Sequence, residues 1–410
     1  MPVKGCGTYG DSQIKEKTRL NNLKLNVVYL AGGFPTPDNP SHGIFNSRAA
    51  NAIKQHVNLT VIQYRIYKPG RKLHEEIKED GFTRIILCVP YSPVWENKLY
   101  YINNRLFYLF TRIYAGSIFG SADIVHASDG NLGVFAAWLK KKYSFKLLVQ
   151  FIGGDLNQDL VQFYSKRWMR GWKDKLDAVS FNSLALEKRF NELFAPHTLG
   201  KVIYRGVDTA VFYPAKNKVD GLVFYFLGGL PDYSTFTHGR NTKGGLNLMQ
   251  AWTKLDAEVN DDNIKLIFAG PDSDISLVRE WRLGLQKPAR VEIKGKLDPA
   301  AIPDFHRSGN IALVPSLEEG MPNVAMEAAA TGNLIIANPV GGVPEIIANK
   351  INGILCETND ADGLYRQMRW VIDNPGQVES IGKTASDMIE RNFSSRDFGK
   401  KYFQYYKDIL

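Results

Sequence analysis

The stretch "LVPSLEEGMPNVAMEAAATG", residues 313–332, joins a short apolar run to an alanine-rich helix through two glutamates, a glycine and a proline. Nearly continuous apolar runs of this length read as strands buried on both faces of a parallel sheet. The carboxyl end of such a strand is where open α/β sheets bind ligands. Gly320 lets a ligand approach the backbone, and Pro322 suits the first helical position, where no hydrogen bond is lost. The free amides that follow, with the helix dipole, make an anion site. Glu319 sits just before that turn, and Glu327 lies four residues past Asn323, on the same helix face one turn deeper. Two carboxylates flanking an anion-binding turn suit a ligand with phosphate between two polyols, which is the build of a nucleotide sugar.

Outward from this stretch the same alternation continues. Apolar runs at 25–32, 59–66, 84–90, 123–128, 146–153, 178–183 and 201–206 predict strands in the first half. Those at 222–229, 264–270, 291–297, 310–316, 333–341 and 353–357 predict strands in the second. Amphipathic stretches such as 44–56, 244–255 and 322–332 lie between them. The pattern is α/β twice over, two Rossmann-like doubly wound domains facing a cleft. The seam falls near residues 207–221. The expected division is a mobile leader at 1–22, without an apolar signal-like core, then domains at 23–208 and 209–392. A terminal helix at 393–410, with Phe398, Tyr402 and Tyr405 on one face, would pack back on the first domain.

A chain of 410 residues accords with two domains. Its three cysteines, Cys6, Cys88 and Cys356, have neither metal-ligand nor disulfide spacing, which fits a reducing, cytoplasmic setting. The net charge of +9 is uneven: residues 1–210 carry 29 Lys and Arg against 17 Asp and Glu, and the remainder 22 against 25. The first half is therefore expected to meet something anionic. It holds two aromatic, basic stretches, 94–119 and 163–175, suited to an anionic membrane surface and to peripheral attachment at the inner membrane face. The alternative for the first is a core-facing stripe through Leu99, Ile102, Leu106 and Ile113. The interruptions at Asn103, Asn104, Arg105 and Arg112 argue against a membrane span. No binding motif for nucleic acid accompanies the charge, so nucleic acid is not expected as a partner.

The segment "EGMPNVAME" (319–327) resembles the E-x7-E signature of the retaining nucleotide-sugar glycosyltransferases, family four, of the GT-B fold. Its surroundings to residue 355 are similar to that family. So are "IYRGVDTAVFYP" (203–214), "NTKGG" (241–245), "KLIFAGP" (265–271) and "FPTPDNPSHGIF" (34–45), in the family's order. The resemblance implies transfer of a sugar from a nucleotide diphosphate sugar, UDP-linked by preference and GDP-linked as the other option. The acceptor would be a saccharide or lipid-linked saccharide in polysaccharide or glycoconjugate synthesis.

It also implies roles for single residues. Glu319 would face the donor sugar and the charge developing at its anomeric carbon. The backbone from Gly320 through Met321 and Pro322 to Asn323 would hold sugar and diphosphate oxygens. Glu327 would bind the ribose hydroxyls, and Lys243 would offset charge on the leaving diphosphate. The family's Gly-Arg is absent, with Gly229 where arginine is expected, and Arg240 is the candidate replacement. Gly43 would be a close-approach position beside donor phosphates, and Gly33 would lie by the acceptor. "QFIGGDLN" (150–157) keeps Gly153 and Asp155, but Ile152 stands where many members have His or Arg. Asp155 is then left to orient an acceptor hydroxyl, with His126 and His42 as lesser candidates.

The "DSD" at 272–274 looks like a metal-binding acid pair but sits far from the turn, and neither metal nor cofactor is expected beyond the donor itself. No phosphate-binding P-loop or dinucleotide fingerprint is present. Two other readings stay open: a sugar-nucleotide epimerase or hydrolase of similar build, and a non-catalytic nucleotide-sugar-binding protein.

Overall fold

The computed structural model describes residues 24–36, 39–40, 42–90, 100–159, 171–194, 198–216, 219–231 and 240–410. The expected leader, and most of the aromatic stretch at 163–175, lie outside them.

Two sheets form the frame. The first runs β3-β4-β2-β1-β5-β6-β7-β8 and the second β11-β10-β9-β12-β13-β14. In chain order the first domain contains β1 Asn26–Ala31, α1 Ile44–Ile53, β2 Asn58–Ile66, β3 His74–Glu79, β4 Phe82–Val89 and α2 Tyr100–Gly120. It continues with β5 Ile124–Ala127, α3 Gly130–Leu139, β6 Lys146–Phe151, β7 Ala178–Phe181, α4 Leu184–Phe194 and β8 Leu199–Val202. The second domain contains β9 Leu222–Leu227, α5 Gly245–Glu258, β10 Ile264–Ala269, α6 Ser276–Leu283, β11 Val291–Gly295, α7 Ile302–Arg307 and β12 Ile311–Val314. Then follow α8 Asn323–Ala330, β13 Leu334–Ala337, α9 Val343–Ile346, β14 Ile354–Leu355, α10 Ala361–Asp373, α11 Gln377–Asn392 and α12 Phe398–Ile409.

All pairings are parallel except β3 with β4. That edge strand, "HEEIKE", has no apolar run and went unread in the sequence. Its charged side chains suit an exposed sheet edge. The central strands are buried throughout: "IVHA", "AVSF", "IALV" and "LIIA" have no exposed residue, as strands covered on both faces require. Strand order reverses between β1 and β5 in the first sheet and between β9 and β12 in the second. Ligand crevices open at the carboxyl ends of strands at such points. The first reversal brings in Gly32 and Gly33, and the second Gly228, Gly229 and the turn at Glu319.

The chain crosses between domains twice, and the crossings are stitched together. Val207 donates to the Phe393 carbonyl at 2.8 Å, and Ser395 donates to the Val207 carbonyl at 2.9 Å. Helix α12 then buries Phe398, Tyr402, Tyr405, Tyr406 and Ile409 among β1, α1 and β7 of the first domain. Tyr402 bonds the Ser180 hydroxyl at 3.0 Å, and Tyr405 donates to the Val179 carbonyl at 2.8 Å. His126 is fully buried against this helix, its Nδ1 2.7 Å from the Tyr406 hydroxyl. Burial, then the Arg205 charge, push its pKa down to about 3, so it stays neutral and structural.

In α2 the buried line is Thr111, Ala115 and Phe119. Of the alternative stripe, Leu106 packs against the core and Ile113 is 63% exposed, while Leu99 lies outside the described residues. No described helix is long and apolar enough to cross a membrane.

Candidate active site

The turn after β12 is held from several sides. Asn338 at the end of β13 donates to the Pro315 and Ser316 carbonyls at 3.0 and 3.1 Å. Gly342 donates to the Gly320 carbonyl at 2.8 Å. A Cβ on Gly341 would stand 2.1 Å from the Glu319 carbonyl oxygen, so only glycine lets the two loops lie together. Pro322 is not the first helical residue: it precedes the helix with ψ 111°, and α8 begins at Asn323. The extended proline turns the chain inward, which buries Met321 in the second domain's core. The helix still opens with amides that have no intrahelical partner.

Lys243 reaches this turn from the loop before α5. Leu317 donates to the Thr242 carbonyl at 2.8 Å, tying that loop to the strand end. Gly244 has φ 74°, and a Cβ there would meet the Pro315 carbonyl oxygen at 1.9 Å. The Lys243 ammonium therefore meets Glu319 Oε1 at 2.6 Å; the carboxylate is nearly buried and the lysine half exposed. Arg240 lies next door, 3.6 Å from Glu318.

Glu327 is buried on α8 with two positively charged or chargeable neighbours. Arg48 of α1, in the first domain, lies 3.5 Å from Oε1, and His306 of α7 lies 3.6 Å from Oε2. Neither residue was singled out in the sequence. Arg48 follows no motif, and His306 hides inside the unremarkable "IPDFHRSGN".

Across the cleft stands the loop of Gly153 and Asp155. A Cβ on Gly320 would lie 2.2 Å from the Ile152 carbonyl oxygen, so the domains meet backbone to backbone here. Asp155 has a different task from the acceptor contact expected of it. Its Oδ1 accepts from Gly153 and Leu156, both at 2.9 Å, and its Oδ2 from Gly130 at 2.8 Å. Burial raises its pKa against the pull of those amides. With 5% exposure it shapes the Gly153 loop and has no free face for an acceptor. Gly43 also differs from expectation. The close approach there is to Gly33, whose carbonyl carbon would lie 2.2 Å from a Cβ on Gly43, so the two limbs of one loop fill the space. Gly33 in turn packs against the His42 ring.

A second contact fastens the domains. Glu345 on α9 accepts from the first amides of α4, Leu184 at 2.9 Å and Ala185 at 3.0 Å, and from the Tyr204 hydroxyl at 2.8 Å. Burial, then the Glu345 carboxylate, hold the Tyr204 phenol well above its ordinary pKa, so the hydroxyl keeps its proton to donate. Glu345 thus caps a helix of the opposite domain. Glu345→Ala should cost about 1–2 kcal/mol in denaturant unfolding. A change under about 0.3 kcal/mol would mean that water serves those amides equally well.

The "DSD" acids do not gather a site: Asp274 pairs with Arg279 at 2.7 Å. Among the described residues no cluster of three metal-ligating side chains occurs.

Residues 236–391 match the family model "Glycosyl transferases group 1". N-acetyl-alpha-D-glucosaminyl L-malate synthase of Bacillus anthracis is 25% identical over 241 residues, 58% of this chain and 61% of that protein. Alpha-maltose-1-phosphate synthase of Mycobacterium tuberculosis (strain CDC 1551 / Oshkosh) is 26% identical over 223 residues, 51% of this chain and 56% of that protein. The chain thus spans only about half to three-fifths of the length of these curated relatives. Among solved structures, sucrose-phosphate synthase from Thermosynechococcus elongatus superposes with a TM-score of 0.69 at 17% identity, over 94% of this chain and 99% of that one. Anabaena HepE in complex with UDP superposes at 0.67 and 14% identity, over 94% and 100%. These likenesses establish the fold, two Rossmann-like domains in the GT-B arrangement.

Proposed function

We propose, from a second domain whose residues 236–391 match the group 1 glycosyl transferases, that the chain moves a sugar from a nucleotide diphosphate sugar with retention of anomeric configuration. The observation that carries this reading is the Lys243–Glu319 pair at the mouth of β12, with Glu327 one helical turn deeper. Lys243, Arg240 and the opening amides of α8 neutralise the diphosphate without a metal. Glu327 takes the ribose hydroxyls, and Glu319 faces the sugar as positive charge grows at its anomeric carbon. The bond from that carbon to the diphosphate oxygen breaks, and the acceptor oxygen bonds on the same face. The leaving phosphate oxygen takes the acceptor's proton. That route needs no protein base, which suits an Asp155 engaged by backbone amides. The same engagement weighs against an epimerase or hydrolase, which needs acid and base groups beside the sugar.

UDP is the favoured nucleotide, because HepE was solved with UDP and with UDP-glucose, and GDP is the other option. The acceptor is a saccharide or lipid-linked saccharide. The first domain offers the surface for it: Leu109, Ile113 and Tyr114 are exposed on α2, with Arg105 and Arg112 beside them. The His74 ring stacks on Tyr114 at 5.4 Å and joins this face to the exposed Tyr67, Lys68, Arg71, Lys72 and Leu73. Aromatics, aliphatics and guanidinium groups together suit an anionic lipid interface, so the enzyme works in the cytoplasm, at the inner membrane face.

The test is a thermal-shift panel of nucleoside diphosphates, with and without chelator, on wild type, Glu327→Ala and Lys243→Ala. One nucleotide should raise the wild-type melting temperature by several degrees with chelator present, and both variants should lose most of that shift. A shift that survives both substitutions, or that requires a divalent ion, would remove this site assignment.

A further inference from the structure

His306 is fully buried beneath Glu327, and its Nε2 has no hydrogen-bond partner within reach. Glu327 Oε2 lies 3.6 Å from that nitrogen, just beyond hydrogen-bond length. A buried, unpartnered ring nitrogen is costly, and its persistence asks for a reason.

The proton on the ring can be traced. The Asn333 Nδ2 group approaches the His306 backbone carbonyl at 2.7 Å and the Tyr225 hydroxyl at 2.8 Å. A carbonyl only accepts, so the nitrogen end of the amide faces this way, and its two protons are shared among these two oxygens and the Thr331 hydroxyl oxygen at 3.1 Å. An amide NH2 cannot accept, so the Tyr225 hydroxyl turns its proton away from Asn333 and to His306 Nδ1, 2.9 Å away. Burial raises the Tyr225 pKa, so that proton is retained. With Nδ1 accepting, the neutral ring carries its hydrogen on Nε2, aimed at Glu327. The chain Asn333, Tyr225, His306 thus presents a fixed donor to the far oxygen of the carboxylate.

We infer that His306 is the positioning residue for Glu327: its Nε2–H steadies the carboxylate from below, and the ribose hydroxyls grip it from the cleft. The inference rests on the reading of Glu327 as the ribose-binding group. A carboxylate oxygen has two lone pairs, so Oε2 accepts from the imidazole and from a hydroxyl together. The imidazole itself is shut away from the cleft and never touches the donor. Donor affinity then depends on a residue outside the binding surface, and only through the ribose hydroxyls.

That restriction makes the test. Calorimetric Kd values would be measured for whichever of UDP, GDP and ADP binds wild type best, and for its 2′,3′-dideoxy analogue. The proteins are wild type, His306→Leu, His306→Gln and Tyr225→Phe. Wild type should prefer the hydroxylated nucleotide. That preference should fall about tenfold in His306→Leu, recover in part in His306→Gln, whose amide can donate, and fall by a smaller factor in Tyr225→Phe. The dideoxy analogue should bind all four proteins alike. Tyr225→Phe decides the matter if His306→Leu does not fold. A preference unchanged in the variants that fold overturns the role of His306 while leaving Glu327 in place. Equal binding of the two nucleotides to wild type overturns the ribose reading of Glu327 and the inference with it. So does the absence of binding by any of the three.

Discussion

Glu319→Gln should lower the rate of donor turnover by about 10²- to 10³-fold while nucleoside diphosphate affinity stays within about threefold of wild type. The carboxylate is nearly buried, is locked to Lys243 at 2.6 Å, and sits on a turn fixed by Asn338, Gly341 and Gly342. Such a group needs no reorganisation when positive charge develops at the sugar, and removal of one preorganised electrostatic contact commonly costs two to three orders of magnitude. Affinity is spared because Lys243, released from its partner, remains for the diphosphate. The folded state is spared as well: the lysine is half exposed, and pairs of that kind contribute less than about 1 kcal/mol. The experiment follows single-turnover nucleotide release alongside thermal melting. Turnover within about fivefold of wild type would show that Glu319 serves the turn's geometry and not the reaction.

The strands were legible in the sequence wherever they are buried on both faces, because apolar content alone marks them. "IALV" and "LIIA" could be read this way, and the charged edge strand "HEEIKE" could not. The glycines at 320 and 43 stood out as places where something approaches the backbone, and Gly153 as part of a turn the resemblance implies. What approaches was hidden: the opposite domain at Gly320 and Gly153, and the other limb of the same loop at Gly43. Asp155 illustrates the same limit. A carboxylate after Gly153 suits a substrate contact or a nest of amides equally well, and only the fold reveals Gly130 as a partner from 25 residues away. Glu345, Arg48 and His306 act across long sequence separations, on groups that no local pattern links to them. The candidate donor-site residues were thus picked from local spacing, and the residues packed around them could not be.

Gly320→Val should cut donor turnover by about 10²-fold through the cleft alone. A Cβ at this position would stand 2.2 Å from the Ile152 carbonyl oxygen and 3.1 Å from the Gly153 Cα, both in the first domain. Its φ is not among the left-handed values, so the substitution brings no backbone strain of its own. The obstruction is relieved if the domains move apart, because the opposing atoms belong to the other sheet and neither core must repack. Unfolding free energy should therefore change by about 1 kcal/mol or less, while the loops of Glu319 and Gly153 are held an ångström or more from their closed positions. Misplacement on that scale costs about two orders of magnitude in reactions that depend on alignment. Gly153→Ala is a poorer probe, since its φ of 137° adds strain to any side chain. The valine variant should also show a larger radius of gyration by solution scattering with donor bound, and nucleotide binding through Lys243 and Glu327 should persist. Wild-type turnover in a folded Gly320→Val protein would mean that sugar transfer does not require the contact between Gly320 and the Ile152–Gly153 loop. The domains would then work in a more open arrangement, still joined by the stitched crossings at Val207 and Phe393 and by Glu345 with its helix cap.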